Sequence, residues 1–558
     1  MIERETGKGM MPRVWSVLLL VLFAVQANAA PGDSRNLNNV SGLDDGQRGM
    51  TAQSLTEDLV VGLYTNVNLV DSPREPVEFF HELGATLDFE SGPFGLALDF
   101  SVLNDDRYST SEPVTMLGYR FDLREGLVTL DFDPVHIKGG RTRHRDEVDT
   151  PYSMFISSYE DGYNPVILEF AYEGERFFYR TRWIEVNRES DLYGRRVPVE
   201  GANNNGDPQN IYPWDDIAER YGDGDEETGS GYTTKPFDRG ANYMVMGVNL
   251  GDWRVGFQES VLYINEVFNP EYFLSPIPQY FTRLYGTKGA ADPGVPWRQR
   301  EDPNIHMGFF TDVTKPEWRA YFQFIMGDIN LDFLTYEERT QPQKWAWSIG
   351  GERETQYGTF GLFHGGATRY IFAATSVDAS RDLYSSQRYE YTYWPDVKFP
   401  HADGDRLIDY RENYIGYKYG ENNVALMLTY ENDFERFHLD SMAEMVVSGA
   451  KSPANPWHEY KQRPGRSDGR DANPPLHIFM LDEWPLEWTF RLGADVSRSF
   501  GPWTASIGGL VGGVFNELEY EAINTWDAPE PGRYVPGDTS RPLFGVNLGL
   551  RYSYEPRW

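Results

Sequence analysis

From Phe544 to the C-terminus the chain alternates. Phe544, Val546, Leu548, Leu550, Tyr552, Tyr554, Pro556 and Trp558 fall in one register. Leu543, Gly545, Asn547, Gly549, Arg551, Ser553, Glu555 and Arg557 fall in the other. In a strand, period two sends such sets to opposite faces. One face is apolar and the other mostly small or charged, which suits lipid on one side and water on the other. A sheet immersed in lipid must close on itself, because an open edge leaves backbone groups with no hydrogen-bond partner. The segment therefore predicts the last strand of a transmembrane β-barrel.

The same pattern recurs upstream. Trp503, Ala505, Ile507, Gly509, Val511 and Gly513 interleave with Thr504, Ser506, Gly508, Leu510 and Gly512. Trp488, Phe490, Leu492, Ala494 and Val496 interleave with Thr489, Arg491, Gly493, Asp495 and Ser497. The turn between these two strands, around Ser499 to Pro502, is short. Trp318, Ala320, Phe322 and Phe324 form another such set, as do Phe177, Tyr179, Thr181 and Trp183. In Trp253, Val255, Phe257 and Val261 the register is interrupted by Glu259 on the apolar side. Tyr414 to Tyr430 reads as two strands around the turn-like Gly420-Glu421-Asn422-Asn423.

Long polar stretches separate these runs: Gly201 to Arg239, Pro270 to Pro303, Tyr384 to Asp409, Lys451 to Pro475 and Asn524 to Pro542. Short turns at one end and long loops at the other are the habit of outer-membrane barrels. The expected fold is all-β, an antiparallel transmembrane barrel with long extracellular loops. At roughly 25–30 residues per strand and loop it holds about 16 to 20 strands, with about eighteen favoured.

The N-terminus carries an address. Arg13 precedes the apolar run Val14 to Val25 and the A-x-A site Ala27-Asn28-Ala29. This is the form of a secretory signal, and the run is too short for a retained span. Residues 1–29 are read as a signal peptide cleaved near Ala29. Translation starting at Met10 or Met11, rather than Met1, would give the more usual signal. Residues 30–58, rich in Asn, Gly, Ser and Asp, are read as a flexible periplasmic lead-in, and 59–558 as the barrel. The expected location is the Gram-negative outer membrane.

Composition narrows the function. Lys and Arg total 51 against 85 Asp and Glu, a net charge of −34. Such a surface repels nucleic acid and attracts cations. There is no cysteine, so disulfides, thiolate metal sites and Cys nucleophiles are excluded. Aromatic residues reach 15%, as expected where a protein meets lipid and water at once. A soluble β-rich protein that stacks sugars on its aromatics would share that enrichment.

The basic cluster Lys138, Arg141, Arg143, His144 and Arg145 stands out in so acidic a chain. Inside the lumen its guanidinium groups could grip anionic sugars, since Arg forms paired hydrogen bonds to carboxylates. The competing reading is an ion-pair lattice with Asp146, Glu147 and Asp149. Trp214, in Ile211-Tyr212-Pro213-Trp214, and Trp457, in Pro456-Trp457-His458-Glu459-Tyr460, could stack on sugar rings or pack loops onto the barrel mouth. Asp223 to Glu227 and Asp403-Gly404-Asp405 resemble parts of calcium loops but lack full spacing and read as solvated acidic loops. Tyr552, Tyr554 and the terminal Trp558 form an aromatic C-terminal signature expected to be read by the barrel-assembly machinery.

Catalysis has little support in the sequence. The nine His are scattered with no His-Glu-x-x-His pair, and there is no Gly-x-Ser-x-Gly elbow or phosphate loop. No enzyme activity, cofactor or metal is expected.

Three segments resemble the Wzi-type capsule assembly family of outer-membrane proteins. The first is Val255 to Tyr263 with the following Tyr272 to Pro278. The second is Trp318 to Asp328, WRAYFQFIMGD, followed by Lys344-Trp345-Ala346. The third is Tyr414 to Gly420, YIGYKYG, with Asn455-Pro456-Trp457 downstream. The resemblance covers about half of the chain. It implies a monomeric barrel of about eighteen strands that holds or assembles exported polysaccharide, lectin-like and without catalysis. Its partners would be outer-membrane lipid, lipopolysaccharide and surface polysaccharide. The alternative is a porin or substrate channel, cation-selective because of the acidity. The first reading predicts a plugged lumen and the second an open one.

Overall fold

The alternating runs form one closed antiparallel sheet. A computed structural model describes residues 57–70, 78–104, 115–116, 119–143, 145–155, 164–198, 232–264, 266–282, 303–328, 344–369, 371–372, 416–451, 481, 485–521 and 533–554. Among the described residues, eighteen strands make the barrel. They are β1 (Glu57–Val70), β2 (Glu78–Ser91), β3 (Phe94–Leu103), β4 (Tyr119–Phe132), β5 (Val135–Arg141) and β6 (Val166–Glu173). Next come β7 (Phe177–Pro198), β8 (Tyr232–Leu250), β9 (Trp253–Ile264), β10 (Asn304–Lys315), β11 (Trp318–Asp328) and β12 (Lys344–Thr355). The circuit ends with β13 (Gly358–Ala367), β14 (Asn423–Asp433), β15 (His438–Ser448), β16 (Glu487–Phe500), β17 (Trp503–Phe515) and β18 (Ser540–Tyr554). A two-residue pairing, Thr115–Met116, joins β4, and a small hairpin of Leu518–Glu521 with Arg533–Pro536 precedes β18.

Each strand pairs with its neighbours in sequence, and β18 also pairs with β1, with Tyr64 opposite Arg551 and Leu69 opposite Val546. That seam removes both sheet edges. Connections of two to four residues lie at the end that holds Glu57, and every other connection is longer. The tight turns place glycine where the backbone is left-handed, at Gly251 (φ 67°) and Gly501 (φ 63°), a conformation that a Cβ disfavours.

The alternation read from β16 to β18 holds. Leu492 is 59% exposed and Leu548 48%, both on the outer face. Asn547 and Arg551 face the lumen, where Asn547 donates to Asn68 and Arg551 to Thr86 at 3.4 Å. Glu555, Arg557 and Trp558 lie outside the described residues, as do the signal and the start of the lead-in. The first strand begins at Glu57.

One strand assignment is corrected. Residues 416–420, read as a strand of YIGYKYG, are not in the sheet. They fold into the lumen, where Tyr417 and Tyr419 are buried in an apolar cluster. Both rings meet packed protein rather than lipid.

Candidate functional site in the barrel lumen

The chain beyond β5 turns inward. Residues 142–143 and 145–155 run into the barrel, and Val148, Tyr152, Met154 and Phe155 there are almost fully buried. They pack with Ile184, Tyr243, Phe310, Tyr321, Phe363 and Met427, inward residues of β7, β8, β10, β11, β13 and β14. This apolar filling is held by a polar frame. The Asp146 carboxylate accepts from the backbone amides of Val148 (3.2 Å), Met154 (2.8 Å) and Phe155 (2.9 Å) and from Gln323 Nε2 (2.7 Å). Asp149 takes a left-handed φ of 44°, and Thr150 and Ser153 exchange hydrogen bonds, so the segment turns on itself. Burial pushes the Asp146 carboxyl above its ordinary value, while the amides of Phe155 and Met154 and the Gln323 side chain pull it down.

Wall cations fix the segment from outside. Glu147 is bridged by Arg180 at 3.3 Å and by Arg254, and its amide donates to the Tyr243 hydroxyl at 3.0 Å. Arg319 donates to the Val148 carbonyl while paired with Asp312 at 2.7 Å. Arg182 joins Glu169 to the Arg145 carbonyl. On the far side, the Tyr152 hydroxyl donates to Glu444 on β15. Glu444 also takes Lys418 at 3.0 Å and Arg491 at 3.3 Å, and the Lys418 ammonium lies 4.9 Å from the centres of the Tyr152 and Tyr419 rings. Burial and then the Glu444 charge raise the Tyr152 hydroxyl, so it stays a donor. The segment thus bridges the lumen from β5 to β15.

The wall from β1 to β4 is polar. Tyr64 donates to Asp99 at 2.8 Å and to Glu82 at 3.3 Å, and Arg124 pairs with Glu82 at 2.7 Å. Asn66 adds a third bond to Glu82. Among the described residues no group of three or more His, Asp or Glu is arranged to hold a metal.

The sequence-selected residues divide. Lys138 on β5 stands opposite Thr129 and Glu169, and Arg141 donates to the Asn164 carbonyl at 2.7 Å. Arg143 and Arg145 belong to the inward segment. Arg145 pairs with Asp149 at 3.3 Å and donates to the Thr150 carbonyl, one contact of the expected ion-pair lattice. The lattice is otherwise differently built: Asp146 is held by amides, and the cations on Glu147 come from β7 and β9. Tyr552 packs on Trp503, ring centres 4.9 Å apart, and Tyr554 is exposed on the outer face. Trp214, Trp457, His144 and Trp558 lie outside the described residues. The roles of Glu444, Arg491 and Lys418 were missed; Arg491 stood on the small-and-polar register of β16, but Glu444 shares its register on β15 with Met442 and Val446.

The fold defines a class, a transmembrane antiparallel β-barrel with a segment lodged in its lumen. No protein-family model and no curated protein matches the sequence. Similar solved structures include Wzi of Escherichia coli, described as a carbohydrate-binding β-barrel involved in group 1 capsule assembly. It is 10% identical, with a TM-score of 0.43 over 88% of this chain and 84% of that one. OccK2 of Pseudomonas aeruginosa, in complex with glucuronate, is 7% identical at a TM-score of 0.41, covering 90% and 100%. OccAB2 of Acinetobacter baumannii is 7% identical at a TM-score of 0.40, covering 90% and 98%. At these values the likenesses assign no role.

Proposed function

We propose that this chain is a non-enzymatic, monomeric barrel of the Gram-negative outer membrane that binds surface polysaccharide during capsule-type assembly. The observation that carries the reading is the segment 145–155, fixed across the lumen between β5 and β15. A fixed internal filling favours holding a polymer over free diffusion. In this reading Lys138, Arg141, Arg143 and Arg145 meet the carboxylates of acidic sugars, and Trp214 and Trp457 stack on sugar rings. The barrel-assembly machinery reads the end marked by Tyr552, Tyr554 and Trp558, after signal cleavage near Ala29.

The test is binding of purified barrel to acidic polysaccharide, alongside planar-bilayer recording. Saturable binding that weakens in Arg141→Ala/Arg143→Ala supports the reading. Large steady currents without glycan binding overturn it. The polar wall of Tyr64, Glu82, Asp99, Arg124 and Arg551 favours a second reading, a substrate channel, for which cation-selective conductance is the signature.

A further inference from the structure

The chain after β9 does not rise away from the barrel. Residues 266–282, which include the short helix α1 (Pro270–Leu274), lie against the outer wall. The side chains that hold them all face away from the lumen. Trp183 Nε1 donates to the Val267 carbonyl at 2.5 Å, Thr181 Oγ1 to Phe273 at 3.0 Å and Tyr179 to Ser275 at 3.2 Å. The intervening Arg180 and Arg182 point inward, onto Glu147 and Glu169. Glu259, the residue that interrupts the apolar register of β9, accepts the amides of Gln279 at 2.6 Å and Tyr280 at 3.1 Å. Tyr263 takes the Asn269 amide at 3.0 Å, donates to Asn242 and stacks on Tyr272 with ring centres 5.7 Å apart.

So the outer wall here carries hydrogen-bonding side chains on the face that is apolar elsewhere, and each meets a backbone group of the covering segment. Irregular backbone at membrane depth is tolerated only when its polar groups are satisfied by protein. The opposite side of the segment is apolar. Leu274 is 73% exposed and Phe281 50%, with Phe268, Ile277 and Tyr280 beside them. This face continues the lipid-facing band of Phe177, Val248, Val255 and Phe309 on β7 to β10.

We propose that residues 266–282 form a cover on the outside of the barrel that lies in the bilayer, with Phe268, Leu274, Ile277, Tyr280 and Phe281 in contact with lipid acyl chains. The wall's outward Tyr179, Thr181, Trp183 and Glu259 act as its hydrogen-bonding base. The apolar side is continuous with the established lipid face, and the polar side is consumed by the wall. The proposal holds whatever the barrel carries.

The chain has no cysteine, so single-cysteine variants can be labelled without background. Nitroxide labels at Leu274→Cys and Phe281→Cys in the full chain, reconstituted into phospholipid vesicles, are compared with Leu548→Cys on the lipid face and Tyr357→Cys in a short turn. The expected result is preferential collision with oxygen over a water-soluble nickel chelate, as at Leu548. Preference for the chelate, as at Tyr357, overturns the proposal. Low collision with both reagents, the mark of a protein covering the patch, overturns it too. In Glu259→Ala the label at Phe281 is expected to gain mobility while that at Leu548 does not; equal mobility of the Phe281 label in both backgrounds counts against the hydrogen-bonded base.

Discussion

The Tyr152 hydroxyl donates to the Glu444 carboxylate at 2.9 Å across 292 residues of sequence, joining the lodged segment to the opposite wall. Lys418 and Arg491 converge on the same carboxylate, so Glu444 is the charge that balances two cations. Glu444→Ala leaves them facing each other without an anion and is expected to lose about 3–5 kcal/mol. Tyr152→Phe keeps the ion pairs and is expected to lose about 1.5 kcal/mol. Urea unfolding of vesicle-embedded protein, followed by Trp fluorescence, ranks the two.

Asp146→Ala removes the acceptor for three backbone amides and Gln323. The barrel is expected to survive, because its ladders are untouched, while the segment loosens. Limited proteolysis within 145–155 and added current noise in planar bilayers report this. Unchanged protection would show that the apolar packing suffices alone.

The pH dependence of the same carboxyl has a definite sign. Burial raises its value in the folded chain, so the folded state binds the proton more tightly than the unfolded chain. Its contribution is fully present below the ordinary aspartate value of about 3.9 and is lost as pH rises through the raised one. The stability of wild type relative to Asp146→Asn is therefore expected to fall as pH rises across that window. A flat difference, measured by urea unfolding at stepped pH, would contradict it.

Leu548 and Asn547 are adjacent but face lipid and lumen. Leu548→Arg is expected to destabilise the embedded barrel by about 2–4 kcal/mol, as for charge near the bilayer midplane. Asn547→Lys is expected to be tolerated. Folding yield into vesicles separates them.

Deletion of Trp558 is expected to lower outer-membrane levels of the protein in cells while leaving folding of purified chain into detergent intact. Unchanged levels in fractionated membranes would remove the terminal aromatic from the assembly signal.

The barrel was legible because strand alternation is local: Trp503 to Gly513 states its own faces. Glu259 also left a mark, as an acid in an apolar register, although the reason for it lies in Gln279 and Tyr280 beyond the strand. The lodged segment was not legible. Its contacts join Glu147 to Arg254 and Tyr152 to Glu444, and no local spacing encodes those distances. The segment holding Tyr417 and Tyr419 misled for a related reason: a strand-like local sequence does not record whether the chain there joins the sheet.

The seam between β1 and β18 bears on how the molecule is made. The edge of β1 that β2 leaves open is completed only by β18, which follows every other barrel strand in chain order among the described residues. Closure therefore waits until β18 can pair. The chain must be kept from pairing prematurely along its whole journey to the membrane, and its excess negative charge, by self-repulsion, suits it to that wait.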